Sequence, residues 1–92
     1  MPEIINIVAY RFAELEDLPA LRIRLQNTCR TLGLKGTILI SPEGINLSVA
    51  GGRASVSHLL KLLRSIPGME NITAKYSRCS EQPFSRMLVK LK

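Results

Sequence analysis

KGTILISPEGINLSVAGG, running from Lys35 to Gly52, decides how the rest of the chain is read. Apolar residues alternate on both sides of Ser41-Pro42-Glu43-Gly44, and a Gly-Gly pair closes the second run. Proline fixes φ and glycine tolerates positive φ, so Pro-Glu-Gly between two alternating runs marks a tight turn. The stretch is predicted to be a β-hairpin, Lys35–Ser41 paired with Ile45–Gly51. In its second half Ile45, Leu47 and Val49 point one way and Asn46, Ser48 and Ala50 the other, the period of a half-buried strand.

On the N-terminal side, Ile4 to Phe12 (IINIVAYRF) is rich in β-branched and aromatic residues but alternates poorly. Apolar residues at both parities predict an interior strand covered on much of both faces. Asp17 before Leu18-Pro19 predicts a helix start, with Asp as N-cap and Pro in the first turn. Leu18, Leu21, Leu25, Thr28, Cys29 and Leu32 make its apolar stripe, and Gly33 stops it. Beyond the hairpin, Val56, Leu59, Leu60, Leu63 and Ile66 fall at helical spacing in a second helix from Arg53 to Ser65, ended by Pro67-Gly68. His58, Lys61 and Arg64 then face water.

Ile72, Ala74 and Tyr76 alternate in a fourth strand, and Met87, Val89 and Leu91 in a fifth. The fifth is placed at an edge, where its lysines discourage pairing with other chains. The order β-α-β-β-α-β plus one strand predicts a ferredoxin-like α+β fold: an antiparallel sheet with both helices on one face and a C-terminal edge strand. Residues 1–92 are expected to form one domain, and the ending at Lys92 within a strand pattern suggests a domain cut from a longer chain.

Ninety-two residues suffice for a single core, and an apolar fraction of 46% with 22% charged residues argues against disorder. Aromatics are few (Tyr10, Phe12, Tyr76 and Phe84), so that core must be aliphatic. The net charge is +6, from 13 Lys and Arg against 7 Asp and Glu. That excess favours a polyanionic partner, RNA first, although charge alone does not separate RNA binding from simple solubility. Cys29, Cys79 and one histidine cannot supply four zinc ligands, so no metal site is expected. No run reaches the ~18 apolar residues of a membrane span, and a cytoplasmic protein with reduced thiols is expected.

Individual residues carry little recognisable chemistry. The segment after the first strand, Arg11 to Asp17, has no glycine and three carboxylates, which would repel the phosphate that an acylphosphatase binds there. The third strand lacks the rings of an RNA-recognition motif; Tyr10 and Tyr76 could stack bases, but a place in the aliphatic core is the commoner explanation and is the one expected. His58 is read as a surface histidine, Cys29 as packing and Cys79 as an unreactive loop thiol beside Arg78. Glu43 is presented at the hairpin tip, and Asn46 is read as bonding the turn backbone. Arg53, Lys61, Arg64, Lys75, Arg78, Arg86 and Lys90 are candidate RNA contacts. Lys75 and Arg86 would share a face if the two C-terminal strands pair.

Gly36-Thr37-Ile38-Leu39, Pro42-Glu43-Gly44-Ile45-Asn46 and Val49-Ala50-Gly51 together resemble the signature of the N-terminal domain of the rhodanese-containing tRNA uridine hydroxylases. Tyr10-Arg11-Phe12 and the closing Phe84, Met87, Val89, Lys90, Leu91 and Lys92 fit the same family. The resemblance implies an acylphosphatase-like domain preceding a rhodanese domain, in enzymes that hydroxylate the wobble uridine of tRNA using oxygen. It implies that the catalytic cysteine lies outside this chain, which holds no catalytic residue and no cofactor of its own. It singles out Glu43, Gly44, Ile45 and Asn46 as motif positions without an assigned role. The function expected is an accessory domain that binds tRNA or docks the rhodanese domain. The alternative is a stand-alone ferredoxin-like module that binds a small molecule or a protein.

Overall fold

A computed structural model describes residues 3–92. Its elements are β1 (Ile4–Phe12), α1 (Leu18–Thr31), β2 (Lys35–Ser41), β3 (Gly44–Gly52), α2 (Arg53–Arg64), β4 (Ala74–Cys79) and β5 (Met87–Leu91). They form one sheet in the order β4-β1-β3-β2-β5, antiparallel throughout except where β5 runs parallel to β2. This is the ferredoxin-like α+β arrangement with an added edge strand.

The buried side chains of α1 (Leu25, Cys29) and α2 (Val56, Leu59, Leu60, Leu63) join a single cluster. The sheet contributes Ile5, Ile7, Ala9, Ile38, Ile40, Ile45, Leu47, Val49 and Val89 to it. Both helices therefore cover one face of the sheet, and the core is aliphatic as composition requires. α1 ends in a Schellman motif: the Leu34 amide donates to Cys29 O at 2.9 Å and the Gly33 amide to Arg30 O at 3.1 Å. Gly33 takes φ 71°, the left-handed conformation that this closure needs.

Several expectations are corrected. β1 is covered on its second face only at its start, where Ile4 and Asn6 are half-buried; the helices lie on the other side, and Val8, Tyr10 and Phe12 are exposed. Tyr10 is 67% and Tyr76 58% exposed, so neither belongs to the core. Asp17 occupies the N-cap of α1 but sits at φ 51° and makes no side-chain cap bond. β4 begins at Ala74, after the buried Ile72, and runs through Arg78 and Cys79, so that thiol closes a strand instead of lying in a loop. β4 and β5 are opposite edges of the sheet and do not pair. Lys75 and Arg86 accordingly sit on opposite sides of it. Residues 80–86 carry the chain from one edge to the other, and on the way Gln82 Nε2 donates to Ala50 O at 2.9 Å.

Candidate functional site

The hairpin turn is built to be rigid. Neither Pro42 nor Glu43 has positive φ, so the two-residue turn is not one of the primed types that match strand twist. Gly44, at φ 155°, absorbs the difference. A Cβ at that position would lie 2.2 Å from Arg11 O and 3.0 Å from Phe12 Cα, so glycine also lets β1 pass directly over the turn. Ser41 Oγ accepts the Glu43 amide at 3.3 Å, closing the turn from within. The Ala13 amide donates to Glu43 O (2.9 Å) and the Leu15 amide to Pro42 O (3.1 Å), closing it from outside. The chain after β1 and the hairpin tip are thus one unit.

That unit has a consequence for phosphate binding. The Ala13 and Leu15 amides are already spent on the turn, and Glu14, Glu16 and Asp17 lie between and after them. A phosphate there would meet three carboxylates and find two of the segment's amides engaged.

The turn projects Glu43 into solvent at the rim of a cleft of ≈ 210 Å³. Tyr10, Phe12, Leu39, Gly44, Asn46 and Lys92 are among its walls. The register explains the grouping: Tyr10 pairs with Asn46, Asn46 with Leu39, and Phe12 with Gly44, so all of them stand on the face away from the helices. No hydrogen bond joins Asn46 to the turn backbone among the described residues; Ser41 fills that role, and the Asn46 amide is exposed on the sheet. Tyr10 and Phe12 meet edge to face, with ring centroids 5.9 Å apart and planes at 67°. On the other side of this ring pair lies a wider hollow of ≈ 520 Å³, running past Val8 to Thr73 and Lys75. The two rings form the ridge between two depressions.

The charges sort by face. The strand pairings place Lys35, Lys75 and Lys90 on the open face, and no strand residue on that face is acidic. The remaining expected contacts do not join them. Arg53 and Arg78 both hold Glu3, at 2.6 and 3.0 Å, and the hydrogen bond from Arg53 keeps the Glu3 carboxyl below its usual range. Arg64 donates to Ile72 O at 3.1 Å. Lys61 is exposed on α2, and Arg86 lies before β5 in the crossing segment. Of the expected set, the strand pairings put Lys75 and Lys90 on the open face, and Arg86 borders a hollow with Lys35 at the sheet edge.

Phe12 and Lys35 were missed as site residues, although the signal was present. Once Asn46 is placed on the open face, a two-residue turn fixes Leu39, Thr37 and Lys35 beside it, and antiparallel pairing adds Tyr10 and Phe12. Cys29 is fully buried and burial pushes its thiol up to about 11, while Cys79 is only partly covered. Among the described residues no group of His, Cys, Asp or Glu is placed to hold a metal, and no helix is long and apolar enough to cross a membrane.

Comparison with known proteins places these features in a family context. The profile described as "UPF0176 acylphosphatase like domain" matches residues 4–92. Proteins named tRNA uridine(34) hydroxylase are similar: that of Variovorax paradoxus is 47% identical over 92 residues, and that of Cupriavidus necator 43% over 90. The alignments cover 100% and 98% of this chain but 35% and 32% of those proteins, so the chain spans about a third of its curated relatives. Among solved structures, an acylphosphatase from Coxiella burnetii superposes with TM-score 0.63 at 16% identity, covering 97% of this chain and 94% of that one. The photo-activated state of BlsA superposes with TM-score 0.74 at 15% identity, covering 98% and 70%. These structural likenesses concern the fold.

Proposed function

Since the chain belongs to the UPF0176 acylphosphatase-like domain family, we propose that it is the N-terminal, tRNA-handling domain of a cytoplasmic tRNA uridine hydroxylase. In this reading the open sheet face meets the RNA and the hydroxylation chemistry resides in the remainder of the full-length enzyme. The observation that carries it is the charge distribution: every charged side chain on the open-face strand positions is a lysine (Lys35, Lys75, Lys90). Solubility alone requires no such segregation, whereas a face that receives a phosphate backbone does. β4 and β5 are four strands apart, so Lys75 and Lys90 bracket a surface ~19 Å wide at ~4.8 Å per strand. The hairpin motif Pro42 to Asn46 lies at one end of that surface.

The test is an NMR titration of the domain with an anticodon stem-loop RNA at low and moderate salt. Saturable shifts on β1, β3 and the Ser41 to Asn46 turn are expected. The slope of log K against log salt should lie near −2 for three lysine–phosphate contacts on a single strand. Shifts scattered over both helices, or none on the open face, would favour a different role: a scaffold on which the catalytic domain packs.

A further inference from the structure

We propose that the Tyr10–Phe12 ridge is a stacking platform for unpaired RNA bases, with Asn46 and Glu43 reading the edge of the base that enters the smaller cleft. This rests on the RNA-handling reading and adds what the face selects: single-stranded nucleotides in preference to a duplex.

Four observations converge. Tyr10 and Phe12 are 67% and 78% exposed although each is a large ring on an interior strand, so neither ring is buried by the fold. Their edge-to-face contact sets one ring beside the other, so the two rings stand together before a ligand arrives. The hollows on either side of the ridge, toward Leu39 and toward Thr73, give flat partners room beside the rings. Directly opposite Tyr10 on the sheet stands the Asn46 amide, with donor and acceptor functions to offer a base edge.

Glu43 orients the ligand. A carboxylate at the cleft rim accepts from base N–H groups, while the cations at the cleft, Arg11 at the end of β1 and Lys92 beyond β5, together with Lys90, attract phosphate. The base edge therefore points toward Glu43 and Asn46, and its phosphates toward the flanking cations. A base-paired duplex cannot comply, because its base faces are already stacked on their neighbours. A flat sheet with lysines alone would bind any polyanion; rings with a free amide between them call for exposed bases.

The experiment compares hexauridylate with an abasic oligonucleotide of the same length and charge at about 50 mM salt, where phosphate contacts are strong. Binding is measured by tyrosine fluorescence and by NMR shifts. Hexauridylate is expected to bind about tenfold more tightly than the abasic oligomer, the effect of one well-stacked base. Tyr10→Leu and Phe12→Leu should remove that advantage while leaving abasic binding and the salt slope unchanged. Both rings are exposed, so these variants fold, and a thermal melt verifies it. Asn46→Ala should weaken hexauridylate binding by a smaller factor, with no effect on the abasic oligomer. Equal affinity for the two oligomers, or ring variants that still prefer hexauridylate, would overturn the stacking platform and leave RNA handling standing. If neither oligomer nor the stem-loop binds at this salt, the RNA-handling reading falls with it.

Discussion

On β1, Ile5, Ile7 and Ala9 are sealed beneath the helices, whereas Val8, Tyr10 and Phe12 on the alternate positions stand in solvent. The same alternation holds in the middle of β3, where Leu47 and Val49 are buried and Asn46 is exposed, and it ends at Ala50, which is buried on the opposite face. One strand thus serves two purposes at a period of two residues. The covered positions hold the fold together by aliphatic burial, and the open positions carry rings, an amide and lysines that the fold does not need. A strand whose second face were also meant for the core would not place its largest side chains there uncovered. The lesson is that apolar character on both parities of an interior strand signals two occupied faces, of which only one need be filled by the chain itself.

The sharpest way to separate the faces is Ile7→Ala. Ile7 is fully buried at the centre of the core cluster, and its truncation is expected to cost about 3 kcal/mol, read as a lowered urea midpoint at unchanged slope. Affinity of the remaining folded protein for hexauridylate should be unaltered. A large loss of affinity in fully folded Ile7→Ala protein would show that the two faces are not independent.

Gly44→Ala tests the one place where the faces are coupled. The added methyl would meet Arg11 O and Phe12 Cα, forcing β1 away from the turn. A loss of about 2 kcal/mol is expected from the strained φ and the displaced strand. The Phe12 ring resonances should shift as well. Unchanged stability together with unmoved Phe12 signals would mean that the turn and the ridge are not mechanically joined.

The two thiols give the mildest comparison. Cys29 lies under α1 and Cys79 on the open face at the end of β4. Maleimide at pH 8 should label Cys79 in the native protein and reach Cys29 only on unfolding. The folded state holds the Cys29 thiol up at about 11 from an ordinary 9.0, so it favours the neutral form. The stability this contributes is complete below pH 9 and is lost as pH rises through 11. A stability profile flat between pH 9 and 11 would contradict the burial of that thiol.

Much of this was readable from residue order. The hairpin around Pro42 and Gly44, the stripes Leu25–Cys29 and Val56–Leu63, and the stop at Gly33 are local: each depends on φ preferences or on a periodicity that fits within one element. Those local signals suffice for the α+β order and for the aliphatic core. They also made the motif Glu43 to Asn46 stand out, although its role was not visible. Three things were not local. The composition of β1 is the same whether one face or two are covered, so the exposure of Tyr10 and Phe12 depended on where the helices pack. The partner of β5 depended on residues 80–86 crossing the sheet, which placed Lys75 and Arg86 at opposite edges instead of side by side. And the seven basic residues that looked equivalent in sequence did not stay so: Arg53 and Arg78 are held by Glu3 and Arg64 by a carbonyl, while Lys75 and Lys90 stand at open-face strand positions. Element type is set by neighbours along the chain, and the sequence determined it. Which side of an element meets solvent, and which charges are left to meet a ligand, is set by contacts between elements far apart in sequence, and only the tertiary structure decided that.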